Sequence, residues 1–501
     1  MNQSPEKILK TIPLFVFLLP LFFVLHGYLE NLGYIRVGEA LLLAGIYGIG
    51  AGIVFLLLLL LYKHPAKAAL AAVFLLAFYF FFGALHDFLK AHLRPASRYV
   101  ILVPVFLLTA VAWGLFLQRT NRSFHRWFFY LNSLFLLYIA IDGAEVLLPT
   151  GRHNHNSGRA AASGDTITYT RYTDTAKPDI YFLLFDAYTS SLALKEQYHY
   201  DNGDFDRFLL QKGFHIQQAS RSNYKYTILS MPSIFNMCYL DKLKDVRGGP
   251  VEEYYYLSDL IRDNELMGFL HSLGYDIVNC SIFDLHGNPS PVEESLLPIK
   301  TRLITDQTFY SRFYRDIGWN FYQFTINPLS EKEIDLSLNN DNKLIDRLKT
   351  VSGIRSGRPR FIYGHFNIPH PPYYYDKNGN RKKVKAPYTP ADEDRLPDYL
   401  DYLSYTNSRA EETIDTLLKN TGGKAVIILM GDHGLRYHDR LGYNPLFFVQ
   451  NQNAVYFPDK DYHLFYDSIS GVNQFRVVLN SLFRQNIPLL KDSTVNVKDK
   501  K

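Results

Sequence analysis

Five long apolar runs fill the first third of this 501-residue chain. Positions 11–29, 40–62, 68–86 and 99–118 contain no Asp, Glu, Lys or Arg, and the fifth run, from Trp127, continues past Asp142 and Glu145 to Leu148. A bilayer core asks for roughly 20 apolar residues per helix. A helix flanking a soluble core keeps a polar stripe, whereas these runs are hydrophobic all round. Lys7 and Lys10 precede the first run, as in a signal peptide, but no small-x-small cleavage pattern stands before Leu29 and four more runs follow. The expectation is an all-α transmembrane domain over 1–148, with five spans at about 11–29, 40–62, 68–86, 99–118 and 127–148.

Charge sets the expected orientation. With the N-terminus inside, the inner segments carry Lys7, Lys10, Lys63, Lys67, Arg119, Arg122 and Arg126, and the outer loops carry Arg36, Lys90, Arg94 and Arg98. That bias favours a cytoplasmic N-terminus. An odd number of spans then places everything beyond Leu148 outside, so the chain is expected in a bacterial inner (cell) membrane with a periplasmic or extracellular remainder. The first 150 residues hold 11 of the 53 basic and 6 of the 48 acidic side chains, which is the whole net charge of +5. The remainder is neutral, which argues against nucleic acid as a partner. Two cysteines build no disulfide framework; Cys238 and Cys280 either pair outside the cytoplasm or stay as two buried thiols.

Residues 149–177 are rich in Gly, Ser, Thr and Asn and read as a polar linker. His153 and His155 within it fit a solvated loop better than a metal site. From Asp179 the pattern becomes α/β. The runs at 180–186, 275–283, 360–368 and 425–432 are continuous and apolar, as strands buried on both faces are. Amphipathic helices are expected at 204–214 and 256–274. Strands alternating with helices imply a parallel-rich sheet sandwiched by helices over 178–490, ahead of a polar tail at 491–501. The aromatic clusters 254–256 and 373–375 suit either a membrane headgroup level or ordinary packing.

In such sheets chemistry collects at strand carboxyl ends. The first run ends in Asp186, the last in Gly-Asp432-His433-Gly, and the run at 360 passes His365 and leads into Pro-His370-Pro-Pro. Two carboxylates and an imidazole make an oxygen and nitrogen donor set for a divalent cation. Taken singly, each is equally a cap or a turn. Thr227 opens an apolar stretch with helical spacing, Ile228, Met231, Ile234 and Phe235. It reads either as an N-cap or as a nucleophile at a helix N-terminus, activated by a metal.

Asp at the first strand end, Thr227-Ile228-Leu229-Ser230-Met231-Pro232, His370-Pro371-Pro372 and Asp432-His433-Gly434, in that order, resemble the sulfatase-like branch of the alkaline phosphatase superfamily. Five spans ahead of that pattern are similar to bacterial lipid A phosphoethanolamine transferases and lipoteichoic acid synthases. The resemblance implies Thr227 as nucleophile, a metal held by Asp186, Thr227, Asp432 and His433, and His370 as a catalytic group at the substrate. It implies one divalent ion, zinc first and manganese second, with room for another. The C-x-P-x-R segment of true sulfatases is absent, so sulfate-ester hydrolysis is not expected. The implied activity moves a phospho-head-group, phosphoethanolamine or phosphoglycerol in type, from a membrane phospholipid to an envelope glycolipid or glycan through a phospho-threonine. The alternative is a phosphodiesterase or phosphatase. Lys225, Arg436, His365 and His438 are further substrate-binding candidates, each with a plainer reading as solvated charge or packing. No obligate protein partner is indicated.

Overall fold

The computed structural model describes residues 5–32, 35–147, 167–174, 177–240, 250–292, 299–316, 328–382, 395–436 and 445–495. Most of the expected linker, with His153 and His155, lies outside the described residues, as does His438. The chain divides into two compact units, one of Met1–Asn154 with Glu294–Asn327, the other of His155–Glu293 with Pro328–Lys501. The second unit is therefore not the uninterrupted stretch 178–490 expected from the sequence.

The first unit is helical: α1 (Pro5–Thr11), α2 (Phe15–Glu30), α3 (Val37–Tyr62), α4 (Pro65–His92), α5 (Tyr99–Arg119) and α6 (His125–Leu147). Four of these, α3 to α6, are long and apolar enough to cross a membrane. The expected first span is instead broken ahead of Phe15, and α2 has only 16 residues. The break follows from Pro13, which has no N–H to continue a helix. The backbone groups it frees meet buried Asn132 of α6, whose Oδ1 accepts from the Phe15 N–H at 2.7 Å and whose Nδ2 donates to the carbonyls of Leu9 and Ile12 at 2.9 and 2.7 Å. Leucines stand outward on α3 and α5, Leu60 at 74% and Leu108 at 71% exposure. Apolar side chains in that number on an outer surface suit hydrocarbon surroundings.

Residues 299–316 pack into this helical unit although the sequence places them between strands of the other. Helix α4 loses helical geometry at Phe81 (φ −102°, ψ 15°), and the Gly83 N–H donates to the Gln307 carbonyl at 2.8 Å. The Arg312 guanidinium forks onto both carboxylate oxygens of Asp87 at 2.9 and 2.8 Å, the bidentate geometry that makes arginine pairs strong. Ile304 is buried against α2, and Phe309 sits edge-on to Phe82 with ring centroids 4.9 Å apart. The close approach needs glycine at position 83, because a Cβ there would lie 2.8 Å from the Gln307 Cα and 2.9 Å from its carbonyl oxygen.

The second unit is a six-stranded sheet covered by helices. Its strands are β1 (Ile180–Phe185), β2 (His215–Ile216), β3 (Asp276–Cys280), β4 (Arg360–Phe366), β5 (Val426–Gly431) and β6 (Asn453–Tyr456), in the order β2-β6-β5-β1-β4-β3. The four strands β5, β1, β4 and β3 run parallel, and β6 and β2 add an antiparallel edge. Tyr181, Leu183 and Phe185 enter one core and Ile180, Phe182 and Leu184 the other, which is why β1 reads as an unbroken apolar run rather than an alternation. The expected helix 256–274 is two helices, Pro250–Arg262 and Glu265–Ser272. Asn264 caps the second by accepting from the Met267 N–H at 2.9 Å. Cys238 and Cys280 are not joined to each other; both are buried, in separate cores, and burial pushes the Cys280 thiol up to about 11. Tyr373 and Tyr374 are buried against Tyr399 and Tyr402 and serve packing.

Substituting Gly83→Ala should free residues 299–316 from the helices, at a cost of about 1–3 kcal/mol for a lost buried hydrogen bond and the overpacking. The measurements are a lower unfolding temperature of the full chain in detergent and new protease cleavage within 299–316; an unchanged digestion pattern would contradict this packing.

Candidate active site

Strand β1 is an inner strand of the parallel set, between β5 and β4, and its register with both neighbours decides what meets at its carboxyl end. Phe185 pairs with Phe366 on one side and with Gly431 on the other, so the next residues, Asp186 and Asp432, emerge side by side. Ala187 then adopts a positive φ of 60°, which turns the chain sharply and aims its N–H at Asp432. Asp432 Oδ1 accepts from the Ala187 and His433 N–H groups, both at 3.0 Å. That fixes the carboxylate and leaves Oδ2 facing the site, 3.4 Å from His433 Nε2. The His433 Nδ1 donates to the Gly434 carbonyl at 2.8 Å, so its Nε2 presents a lone pair inward, the tautomer of a metal-binding histidine. The two glycines around this pair are sterically required. A Cβ at Gly431 would lie 2.5 Å from the Tyr188 carbonyl oxygen, and one at Gly434 2.7 Å from that of Phe447.

Thr227 is the first residue of the helix Thr227–Asn236, and its hydroxyl is not the cap. The N-cap is Tyr226, whose carbonyl accepts from the Leu229 and Ser230 N–H groups at 2.9 and 2.8 Å. The Thr227 hydroxyl instead lies 3.4 Å from Asp186 Oδ2 and 3.4 Å from His433 Nε2. Helix N-terminal N–H groups beside it carry positive partial charge, suited to an anionic ligand.

Asp186, Asp432 and His433 are buried, and one ligand atom of each lies within 4.8 Å of the others. Among the described residues Asp186 Oδ1 and Asp432 Oδ2 have no hydrogen-bond partner. Two orphaned carboxylate oxygens in a protein interior are expensive unless a cation neutralises them, and with an imidazole and a hydroxyl beside them the donors fit a divalent metal. The charge balance agrees. Burial alone would raise the Asp186 carboxyl, but the facing rings of His370, His365 and His433 hold it well below the usual carboxylate range. Burial lowers His433, against the pull of Asp432 and Asp186, which favours the neutral ligand form.

The other sequence candidates divide. His370 is partly exposed; its Nε2 lies 3.3 Å from the Arg436 guanidinium, and its Nδ1 donates to the Pro371 carbonyl at 2.6 Å. Lys225 and Arg436 both stack on the Tyr226 ring. His365 is wholly buried, held at Nδ1 by the Tyr363 hydroxyl at 2.7 Å, with Nε2 3.9 Å from Asp186 Oδ2. It therefore meets the site through Asp186. Sequence reasoning missed Tyr226, although it adjoins Thr227, and Asp341, which lies on the helix Pro328–Gly353 where no local pattern marks it. Asp341 Oδ1 accepts from the Asn367 N–H at 2.8 Å, just beyond β4, and its Oδ2 is buried with no partner among the described residues. Burial pushes its pKa up to about 7.

Two outcomes are expected. Asp186→Asn and Asp432→Asn should each reduce bound divalent metal at least about tenfold in the purified full chain; metal analysis showing parental content would remove them from the ligand set. The Asp341 contribution is intact below an unfolded carboxyl's pKa of about 4 and is lost as pH rises through about 7. Asp341→Asn keeps the acceptor for Asn367 and should be more stable than the parent by on the order of 2 kcal/mol at about pH 8, with the gap closing toward about pH 4 in denaturant titrations.

Comparisons with known proteins bear on this site. Residues 295–475, which include His365, His370, Asp432, His433 and Arg436, match the family model described as Sulfatase; Asp186 and Thr227 precede the match. No curated protein matches the chain. Among solved structures, it is similar to the C-terminal periplasmic domain of EcEptC from Escherichia coli in complex with Zn, at 12% identity and a TM-score of 0.41, covering 67% of this chain and 95% of that one. It is also similar to the C-terminal periplasmic domain of the phosphoethanolamine transferase EptC from Campylobacter jejuni, at 15% identity and 0.39, covering 63% and 92%. A third is BT1596, a 2-O GAG sulfatase, at 12% and 0.38, covering 65% and 76%. The family match makes residues 295–475 similar to the Sulfatase family, and it is in this segment that Asp432 and His433 reach the site.

Proposed function

We propose that this protein is a membrane-anchored transferase that moves a phospho-head-group from a phospholipid to an envelope glycolipid or glycan through a phospho-threonine at Thr227. The observation that carries the reading is the Thr227 hydroxyl at the start of a helix, 3.4 Å from both Asp186 and His433 and directed away from capping. Asp186, Thr227, Asp432 and His433 would hold one divalent ion, zinc by the donor set, with manganese second. When bound, such an ion lowers the pKa of an adjacent hydroxyl and withdraws charge from a phosphoryl oxygen.

The chain's own groups do the remainder. Thr227 Oγ1 forms the bond to phosphorus while the bond from phosphorus to the diacylglycerol oxygen breaks, and the threonine proton ends on diacylglycerol. The helix N–H groups and Arg436 bind the non-bridging oxygens. His370, partly exposed and beside Arg436, orients that guanidinium and would protonate the leaving oxygen. An acceptor hydroxyl then takes the phosphoryl group and returns its proton to Thr227. The apolar helices support a lipid donor, because anchoring confines enzyme and donor to one plane. Outside the cytoplasm, where the charge bias of the loops would put this unit, a phospholipid supplies the activated phosphodiester without a nucleotide.

Thr227→Ala should leave the chain folded and remove turnover by at least about a thousandfold, since the nucleophile acts as a unit with its activating groups. Diacylglycerol release from labelled phospholipid and the intact mass of the protein are the measurements. A variant with parental release would exclude Thr227 as nucleophile; release of free head-group phosphate with no modified acceptor would make the enzyme a hydrolase.

A further inference from the structure

We propose that Lys225 and Arg436, both held on the ring of Tyr226, restrict the site to phosphodiesters whose head group carries no cation, a polyol phosphate rather than an ammonium-bearing one. The inference rests on the transferase reading of Thr227 and names the substrate class of that site. Lys225 Nζ lies 5.2 Å and the Arg436 guanidinium carbon 4.7 Å from the centre of the Tyr226 ring, and Tyr226 is the residue before the nucleophile. Its backbone is extended, φ −130° and ψ 136°, as the helix cap requires, so the ring is anchored by the same turn that starts the Thr227 helix. One aromatic platform, on the residue that precedes Thr227, thus gathers two cations.

Nothing described nearby neutralises them. Among the described residues neither Lys225 nor Arg436 has a carboxylate within ion-pair distance, and Arg436 reaches only His370. The acids at the site, Asp186 and Asp432, are 4% and 0% exposed and turned toward the metal position. Lys225, Arg436 and His370 are all partly exposed. The charge offered to a ligand at Thr227 is therefore positive on its open side. An ammonium on a two-carbon arm stays within several Å of its phosphorus. At about 8 Å and an effective dielectric of about 20, one like charge opposes it by about 2 kcal/mol, more than tenfold in binding. Glycerol hydroxyls carry no such repulsion and accept hydrogen bonds from both cations. Discrimination arises from the repulsive element as much as from the attractive one. Tyr226 is a positioning residue here, acting through the two cations.

The test compares the full-length chain in nonionic micelles with phosphatidylglycerol or phosphatidylethanolamine at equal concentration, reading diacylglycerol release and the mass of the Thr227 adduct. Expected are a phosphoglycerol adduct and a kcat/KM at least about tenfold higher for phosphatidylglycerol. That ratio should collapse in the double variant Lys225→Glu with Arg436→Glu and in Tyr226→Leu, and be kept in Tyr226→Phe, which retains the ring. A merely structural role would lower both substrates alike and leave the ratio unmoved, and that result overturns the proposal. Equal or faster turnover of phosphatidylethanolamine by the parent, with its adduct on Thr227, overturns it while leaving the transferase reading intact. No diacylglycerol and no adduct from either lipid removes the transferase reading and this inference with it.

Discussion

Burying two carboxylates side by side costs more than the surrounding strands return unless a cation shares the space. Asp186 and Asp432 are placed together because β1 pairs in register with β5, and both continue past the last sheet bond at the same level. Much of the local structure serves that pair. The positive-φ turn at Ala187 delivers one N–H to Asp432, the glycines on either side of Asp432 and His433 let backbone carbonyls close in, and the His433 ring is turned by Gly434 so that its free nitrogen faces inward. The orienting bonds are all to backbone, so the geometry is set by the fold rather than by mobile side chains, as pre-organised sites require.

The hydroxyl at the site comes from outside the sheet, on a helix whose first residue is Thr227. Lys225 and Arg436, both partly exposed, stack on the ring of the preceding residue, Tyr226, and the acids Asp186 and Asp432 are buried. This division of charge gives the site a polarity that the neutral total charge of the C-terminal two thirds conceals. Under the proposed function, attraction for an anionic phosphodiester is consequently short-ranged, confined to the few residues on and around one tyrosine ring.

The four parallel strands were legible because burial on both faces leaves uninterrupted apolar runs, and Asp186, Asp432 and His433 were legible because they terminate such runs. Thr227 was legible from its place at the head of an apolar helical spacing, although only the structure separates a cap from an inward-facing hydroxyl. The short edge strands β2 and β6 carry too few residues to show a period. Asp341 sits in a polar helix where an acid is unremarkable until tertiary packing buries it. The break ahead of α2 has a local cause in Pro13, but its repair by Asn132 spans more than a hundred residues of sequence. The allegiance of 299–316 to the helical unit was not legible, since helices choose partners by complementary surfaces rather than by order along the chain.

That allegiance has an engineering consequence. Because the polypeptide leaves the sheet unit at Glu293 and returns at Pro328, cutting the chain once after the last apolar helix does not yield a self-contained soluble enzyme. The fragment would carry Ile304, Phe309 and Phe313 stripped of the helices that cover them, and Arg312 without its carboxylate, an invitation to aggregate. A soluble form is better made by excising 294–327 and bridging the gap with a short polar linker, so that the sheet keeps its topology and sheds the greasy segment.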